Sequence, residues 1–388
     1  MLLEEIKKAV DSIPDGRWVL ITDENEETLC VAKSEIGYND ATGQVTANFS
    51  VYNPDEIESI DGVTRTHSPW PVLGSDPEFF FKRDGKVVPA MKFLRGGGRV
   101  VADGFQGELN PSSNACRQSS GNLIHYALEV ADNAATRVGA EVSLNVLEEI
   151  DHETFYSVPA HERRFGCSPT KNPHEKTKRP IGTRTRWRAA GGHIHLGGQD
   201  VKDMCEKDIT KLVSLFDIFC GTATVLLDRD EGNKVRRKYY GRAGEYRLKQ
   251  YGIEYRVPSN FWLKSYTLWS TVTVLLRNAM GVFSNDKVTD DLFNRIDMND
   301  VRRAINECDV ELAEKIWREL SVLMKENKLY ADSGVDYRNV DSFLDWVTTD
   351  DPIDDLDVPT FRDSYVSWEE HYHYGSVPGL EQFLKDNY

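Results

Sequence analysis

Short stretches of this chain alternate between polar and apolar positions. In four of them two polar residues flank a single residue inside an otherwise apolar run. They are Asp76-Pro77-Glu78 ahead of Phe79-Phe80-Phe81, Glu108-Leu109-Asn110, His193-Ile194-His195, and Glu254-Tyr255-Arg256 ahead of Val257. Side chains two apart on a strand share a face and lie about 6.5–7 Å from one another. Each stretch therefore predicts a strand with two polar groups on one face, and four such faces predict the lining of one cavity. Pro77 removes a ladder hydrogen bond, so its strand should be an edge or should start there. Glycines at 191, 192, 197 and 198 would leave room for a phosphate or a hydrated metal to approach the backbone. A histidine pair alone is equally compatible with a structural role, and His371 and His373 are read that way.

The same patterning predicts the rest of the chain. Residues 1–13 read as an amphipathic helix, and 18–21, 28–32 and 44–49 as strands of a small β-rich unit. Pro69-Trp70-Pro71 marks a boundary. A strand over 72–81 then turns at Asp84-Gly85 toward Val87-Val88. Gly96-Gly97-Gly98 is a loop that lacks the Lys-Ser/Thr ending of a phosphate-binding loop. Beyond a strand over 100–110, apolar residues at helical spacing predict a helix ending at Gly139, with His125 structural and a strand at 142–146. Helices follow at 202–227, 261–282 and 310–324. Three parts result: 1–68, a small β-rich unit; 69–330, the main domain; and 331–388, an acidic extension built on Asp350-Asp351-Pro352-Ile353-Asp354-Asp355-Leu356-Asp357. The class is α+β.

Composition narrows the function. The 388 residues are 40% hydrophobic and 28% charged, as in a soluble globular protein. The net charge of −16, from 47 basic and 63 acidic residues, argues against general nucleic-acid binding. No membrane span and no secretory signal are expected. The six cysteines show no metal spacing and fit free thiols in a reducing cytoplasm, with Cys205 and Cys220 as helix packing residues. In so acidic a chain, 159–188 stands out: Arg163, Arg164, Lys171, Lys176, Lys178, Arg179, Arg184, Arg186 and Arg188 all fall within it. It reads as a solvated loop or as a lid over an anionic ligand such as ATP. The lid is the sharper reading, because the stretch leads into the histidine strand.

Carboxylates converging on one cavity cannot all ionise without cations among them. Hard divalent ions meet that need; Mg²⁺ takes carboxylate oxygens, water and substrate phosphate. A histidine in the set is compatible with Mg²⁺ or Mn²⁺, whereas an all-His/Cys set would point to zinc. Arginines at the strand ends would bind a transferring phosphoryl group.

These residues carry a resemblance. The order Asp-x-Glu, Glu, Gly-Gly-His-x-His, Arg-x4-Arg, Glu-x-Arg resembles the glutamine synthetase superfamily, and within it the phage-type carboxylate–amine ligases, or amidoligases. It rests on Gly74-Ser75-Asp76-Pro77-Glu78-Phe79, Gly107-Glu108-Leu109-Asn110-Pro111, Gly191 to Gly197 and Gly252-Ile253-Glu254-Tyr255-Arg256-Val257-Pro258, and spans about residues 70–285. It implies a glutamine synthetase-like catalytic domain, built on an antiparallel sheet, that binds ATP with two or three divalent cations such as Mg²⁺, phosphorylates a carboxylate and lets an amine displace the phosphate. It further implies metal ligation by Asp76, Glu78, Glu108, His193 and Glu254. Glu78 and Glu108 would share one ion, and Asp76, His193 and Glu254 another. His195 would touch ATP phosphate, and Arg242, Arg247 and Arg256 would neutralise the phosphates and the acyl phosphate. Two departures stand: Asp76 replaces a longer Glu, and Gly252 stands where glutamine synthetase has an arginine. The carboxylate and amine substrates, small molecule or peptide, are open, and an oligomer is compatible. A guanidino-type phosphotransferase of the same fold and a non-catalytic phage structural or host-interaction protein remain as alternatives.

Overall fold

In the computed structural model the described residues are 72–327, apart from 95–97, 114–116, 161–162, 164–169, 175–184, 199–200, 202 and 229. Six strands upstream are described as backbone only. Three of these, Trp18–Thr22, Thr28–Ala32 and Gln44–Ser50, fall where the alternation places them. Ile36–Asn39, Ser59–Ile60 and Val63–Thr66 are additional. The first two form one sheet and the other four a second, which includes a parallel pair. The expected helix over 1–13, His371, His373 and the whole of 331–388 lie outside the described residues.

From residue 72 onward every strand pair is antiparallel, among two larger sheets and one short ladder. The strands are β1 Val72–Ser75, β2 Glu78–Arg83, β3 Lys86–Val87, β4 Val100–Asp103, β5 Gln106–Leu109, β6 Glu141–Ser143, β7 Leu147–Glu149, β8 Trp187–Ala189, β9 Ile194–Gly197, β10 Tyr246–Lys249 and β11 Gly252–Tyr255. One sheet runs β10-β11-β9-β1; the other runs β4-β5-β2-β6, with β3 hairpinned onto β2. The expected single strands over 72–81 and 100–110 are each two strands. At 72–81 the break is Asp76-Pro77. Pro77 has no N–H to continue the ladder, so the chain leaves one sheet after Ser75 and joins the other at Glu78. At 100–110 the break is a turn at Gly104, which folds β4 onto β5.

Alternation decides what each face meets. In the first sheet Leu73, Ile194, Leu196, Ile253 and Tyr255 are buried and belong to one core that includes the helices. The intervening residues turn the other way. In the second sheet Phe79, Phe81 and Leu109 pack with Ile124, Ala127 and Ala131 of α1 (Arg117–Arg137), whose buried positions recur every three or four residues. Gly139, at φ +63°, ends that helix as expected.

The helical layer begins after the five-residue α2 (His152–Tyr156). A continuous run follows, α3 (Glu206–Phe216), a π-turn at Asp217–Gly221 and α4 (Thr222–Leu227). By length and composition this run could span a membrane, with mean hydropathy 1.6, but 89% of its apolar window is buried inside the protein. Cys220 is buried within it; Cys205 instead stands exposed just ahead of α3, which starts four residues later than the pattern suggests. Then come α5 (Gly232–Tyr239), α6 (Tyr266–Phe283), α7 (Asp286–Arg295), α8 (Met298–Glu307) and α9 (Val310–Glu326). A 3-10 turn, Asn260–Lys264, precedes α6, and Ser265 caps α6 by accepting from the Leu268 N–H at 3.2 Å.

Arg236 and Arg237 are buried on α5. Arg236 donates to the carbonyls of Val257 (2.9 Å) and Pro258 (2.7 Å), so its charge pins the backbone that leaves β11. Gly252 shows how tightly that sheet is built. Its φ is +149°, and a Cβ there would lie 2.2 Å from the Leu196 carbonyl oxygen. No side chain fits, so the missing arginine is excluded by the backbone itself. Gly252→Ala is expected to lower stability by at least about 2 kcal/mol through strain and overpacking. A melting temperature equal to that of the parent protein would contradict this packing.

Candidate metal and ligand site

Cross-strand register assembles the polar face of the first sheet. Arg247, Glu254, His195 and Gly74 stand in one row across β10, β11, β9 and β1. Two residues along, Arg256, His193 and Asp76 continue it. His193 Nδ1 lies 3.2 Å from Asp76 Oδ1 and 3.5 Å from Glu254 Oε1, while His195 Nε2 reaches the same Asp76 oxygen at 3.1 Å. The two histidines therefore do share a face, with Ile194 fully buried behind them. Glu254, also fully buried, is approached by Lys249 Nζ at 2.9 Å, Arg256 Nε at 3.2 Å and Arg247 at 3.4 Å.

The second sheet supplies another acidic group. Glu78 and Glu108 are cross-strand partners. With Asp103 they form a set whose oxygens lie within 4.8 Å of one another, and Asp76, His195 and Glu254 form a second such set. Asp76 and Glu78 are thus not neighbours on one strand face, as the spacing suggests. The Asp76-Pro77 step between sheets sends them to different groups. Three donors converge on one oxygen of Glu78, Oε2: the Gly191 N–H (2.7 Å), Gln106 Nε2 (3.1 Å) and the Tyr240 hydroxyl (3.0 Å). That fixes the carboxylate's orientation.

Electrostatics divide the two groups. Burial, together with the neighbouring Asp76, Glu78 and Asp103, pushes the Glu108 carboxyl up to about 9. Burial and Asp103 raise Glu78 to about 7. Burial opposes ionisation of Asp76 and Glu254 as well. There it is outweighed by His195 and His193 around Asp76, and by His193, Arg256 and Lys249 around Glu254, so both stay below the usual carboxylate range. Burial and Arg256 lower His193 to about 4, leaving it neutral at pH 7 and able to donate from Nδ1 to Asp76. Carboxylates forced to hold protons by one another are a donor set that a hard divalent cation fits, with water completing its shell.

The glycines beside the histidines serve packing, not access. A Cβ on Gly191 would lie 2.3 Å from His193 Nε2, and one on Gly192 would lie 2.0 Å from the Ser259 carbonyl oxygen. Gly198 alone faces open space. Arg242 reaches the Arg237 carbonyl at 3.5 Å. Asn110 is exposed, its N–H bonded to the Arg99 carbonyl. Much of the basic stretch lies outside the described residues, as do Gly96 and Gly97. Of its cations, Arg188 is buried on β8, and Arg186, just ahead of that strand, pairs with Glu149. Thr170 does reach the site, accepting from Arg256 at 3.0 Å.

Five contributing residues escape the sequence reading: Asp103, Gln106, Tyr240, Lys249 and Tyr251, whose hydroxyl lies 2.8 Å from His195 Nδ1. The spacing-of-two rule, applied to Arg247-Leu248-Lys249, would have found Lys249. Tyr240 and Tyr251 carry no such signal, because each reaches the site from a turn.

The raised carboxyls fix a pH dependence. Glu108 and Glu78 titrate near the ordinary carboxyl value when unfolded and near 9 and 7 when folded, so the folded state binds more protons in between. Metal-free stability should therefore fall as pH rises from about 5 to 9. Glu108→Gln should flatten that fall and raise the melting temperature at pH 8.5 in chelator; a slope unchanged by the substitution would contradict the arrangement.

Comparison with known proteins follows the same lines. Residues 183–355 match the family model described as phage phiEco32-like COOH.NH2 ligase-type 2. That span holds His193, His195, Arg242, Arg247, Glu254 and Arg256; Asp76, Glu78 and Glu108 lie ahead of it. No curated protein matches the chain. Over residues 183–355 the chain thus matches a phage-type carboxylate–amine ligase family.

Proposed function

We propose that this protein is an ATP-dependent carboxylate–amine ligase that forms an amide through an acyl phosphate, on a glutamine synthetase-like catalytic domain. The observation that carries the reading is the pairing of two acidic groups, Glu78–Asp103–Glu108 and Asp76–His195–Glu254, with Arg247, Lys249 and Arg256 beside Glu254. The family match adds the reaction class.

In this reading each group would hold a divalent cation, Mg²⁺ or Mn²⁺, with His193, in the tautomer that leaves Nδ1 without a proton, as a further candidate ligand to the second. Bound there, the cations would offset charge on carboxylate and nucleotide phosphate alike. The chain's own residues do the remainder. Gly191, Gln106 and Tyr240 hold Glu78 in one orientation. Tyr251 orients His195 through its second ring nitrogen, as partners of metal-binding histidines do. Arg256, fully buried and tied to Thr170, offers a fixed charge to a transferring phosphoryl group. Arg247 supports it from the edge strand. Arg242 is kept as a phosphate contact from the resemblance alone.

Incubation with Mg–ATP and a cell extract is expected to yield ADP together with a condensation product seen by mass spectrometry. Phosphoryl transfer without an amide product would favour the guanidino-type reading. No binding of Mg–ATP in calorimetry would favour a non-catalytic role. Glu254→Ala should lower turnover by at least roughly 10²-fold, the scale on which single electrostatic groups act. Full activity in a folded Glu254→Ala protein would sink the assignment.

A further inference from the structure

Lys249 is the cation at this site to which the resemblance gives no role. Its Nζ stands 2.9 Å from Glu254 Oε2, closer than either arginine. The three cations are not equivalent. Arg256 is fully buried and held by Thr170. Arg247 lies in the same cross-strand row as Glu254. Lys249 comes from the last position of the edge strand, one row further on, where its neighbours across the sheet are Gly252 and then Gly197. With no side chain at either position, the lysine stem reaches back over the sheet to Glu254. It keeps 26% of its side chain in solvent, and its four-carbon stem has the freedom to swing away.

An ammonium and a divalent cation repel strongly if both sit against one carboxylate oxygen. The two acidic groups therefore differ in their readiness for metal. Glu78, Asp103 and Glu108 bring carboxylate oxygens together across their sheet; Glu254 already has a cation in place. The geometry points to Lys249 as a displaceable counter-ion that occupies the Glu254 side of the Asp76–His195–Glu254 group until a polyphosphate ligand draws its ammonium away. Cation binding in that group is then coupled to arrival of the anionic ligand, while the Glu78–Asp103–Glu108 group fills independently. The inference rests on the ligase reading above and adds an order of binding to it.

The test counts Mn²⁺ bound by the full chain at pH 7.5, by electron paramagnetic resonance, with and without a non-hydrolysable ATP analogue. Wild type is expected to bind one Mn²⁺ tightly without the analogue and to gain further ions with it. Lys249→Met should bind two without the analogue, the second at least about tenfold more tightly than in wild type, the scale set by removing one facing charge. Lys249→Gln carries the same expectation, and Lys249→Arg should behave as wild type. If Lys249→Met and Lys249→Gln bind a single ion without the analogue, as wild type does, the counter-ion role is overturned and the ligase reading stands. If no sample binds Mn²⁺ under either condition, both fall together.

Discussion

Mutual repulsion among closely set acids is the constraint around which this protein is arranged. Asp76, Glu78, Asp103, Glu108 and Glu254 are gathered where two antiparallel sheets meet. Left to themselves they would have to hold protons, as Glu78 and Glu108 do. The chain answers on one side with its own cations around Glu254. On the other it aims a backbone amide, an amide side chain and a hydroxyl at a single oxygen of Glu78. What remains is a charge deficit of the kind a divalent ion fills.

The joint between the sheets makes that gathering possible. Asp76-Pro77 is a crossing point where one strand ends and the next begins in a different ladder. Asp76 and Glu78, two apart in sequence, thereby become members of different acidic groups. Backbone hydrogen bonds close the joint from both directions: Glu78 N–H to the Gly191 carbonyl at 2.8 Å, Gly192 N–H to the Pro258 carbonyl at 3.1 Å, and Leu109 N–H to the Pro77 carbonyl at 2.9 Å. The glycines of the histidine motif belong to this joint. They admit the His193 ring and the Ser259 backbone where a side chain would collide.

Much of this was legible in the residues because strand alternation is local. A polar pair spaced by two predicts a shared face wherever the strand is continuous, and His193 with His195 and Glu254 with Arg256 obey it. The rule misleads at Asp76-Pro77-Glu78, where proline's missing donor divides the strand, although that donor's absence also foretold a start at Glu78. Charge misleads at Arg236, Arg237 and Arg188. Cations suggest solvent, yet these guanidiniums are buried against carbonyl oxygens that absorb their donors. Tyr240, Tyr251 and Asp103 act across long sequence separations or from turns, and only the folded register brings them to the site.

The central claim is that the two acidic groups are cation sites on either side of one strand crossing. Crystals grown with Mn²⁺ and a non-hydrolysable ATP analogue, measured at the manganese absorption edge, test it most directly. The account predicts one anomalous peak among Glu78, Asp103 and Glu108 and another among Asp76, His195 and Glu254. Manganese bound elsewhere, or both groups empty in a well-ordered map, would contradict it.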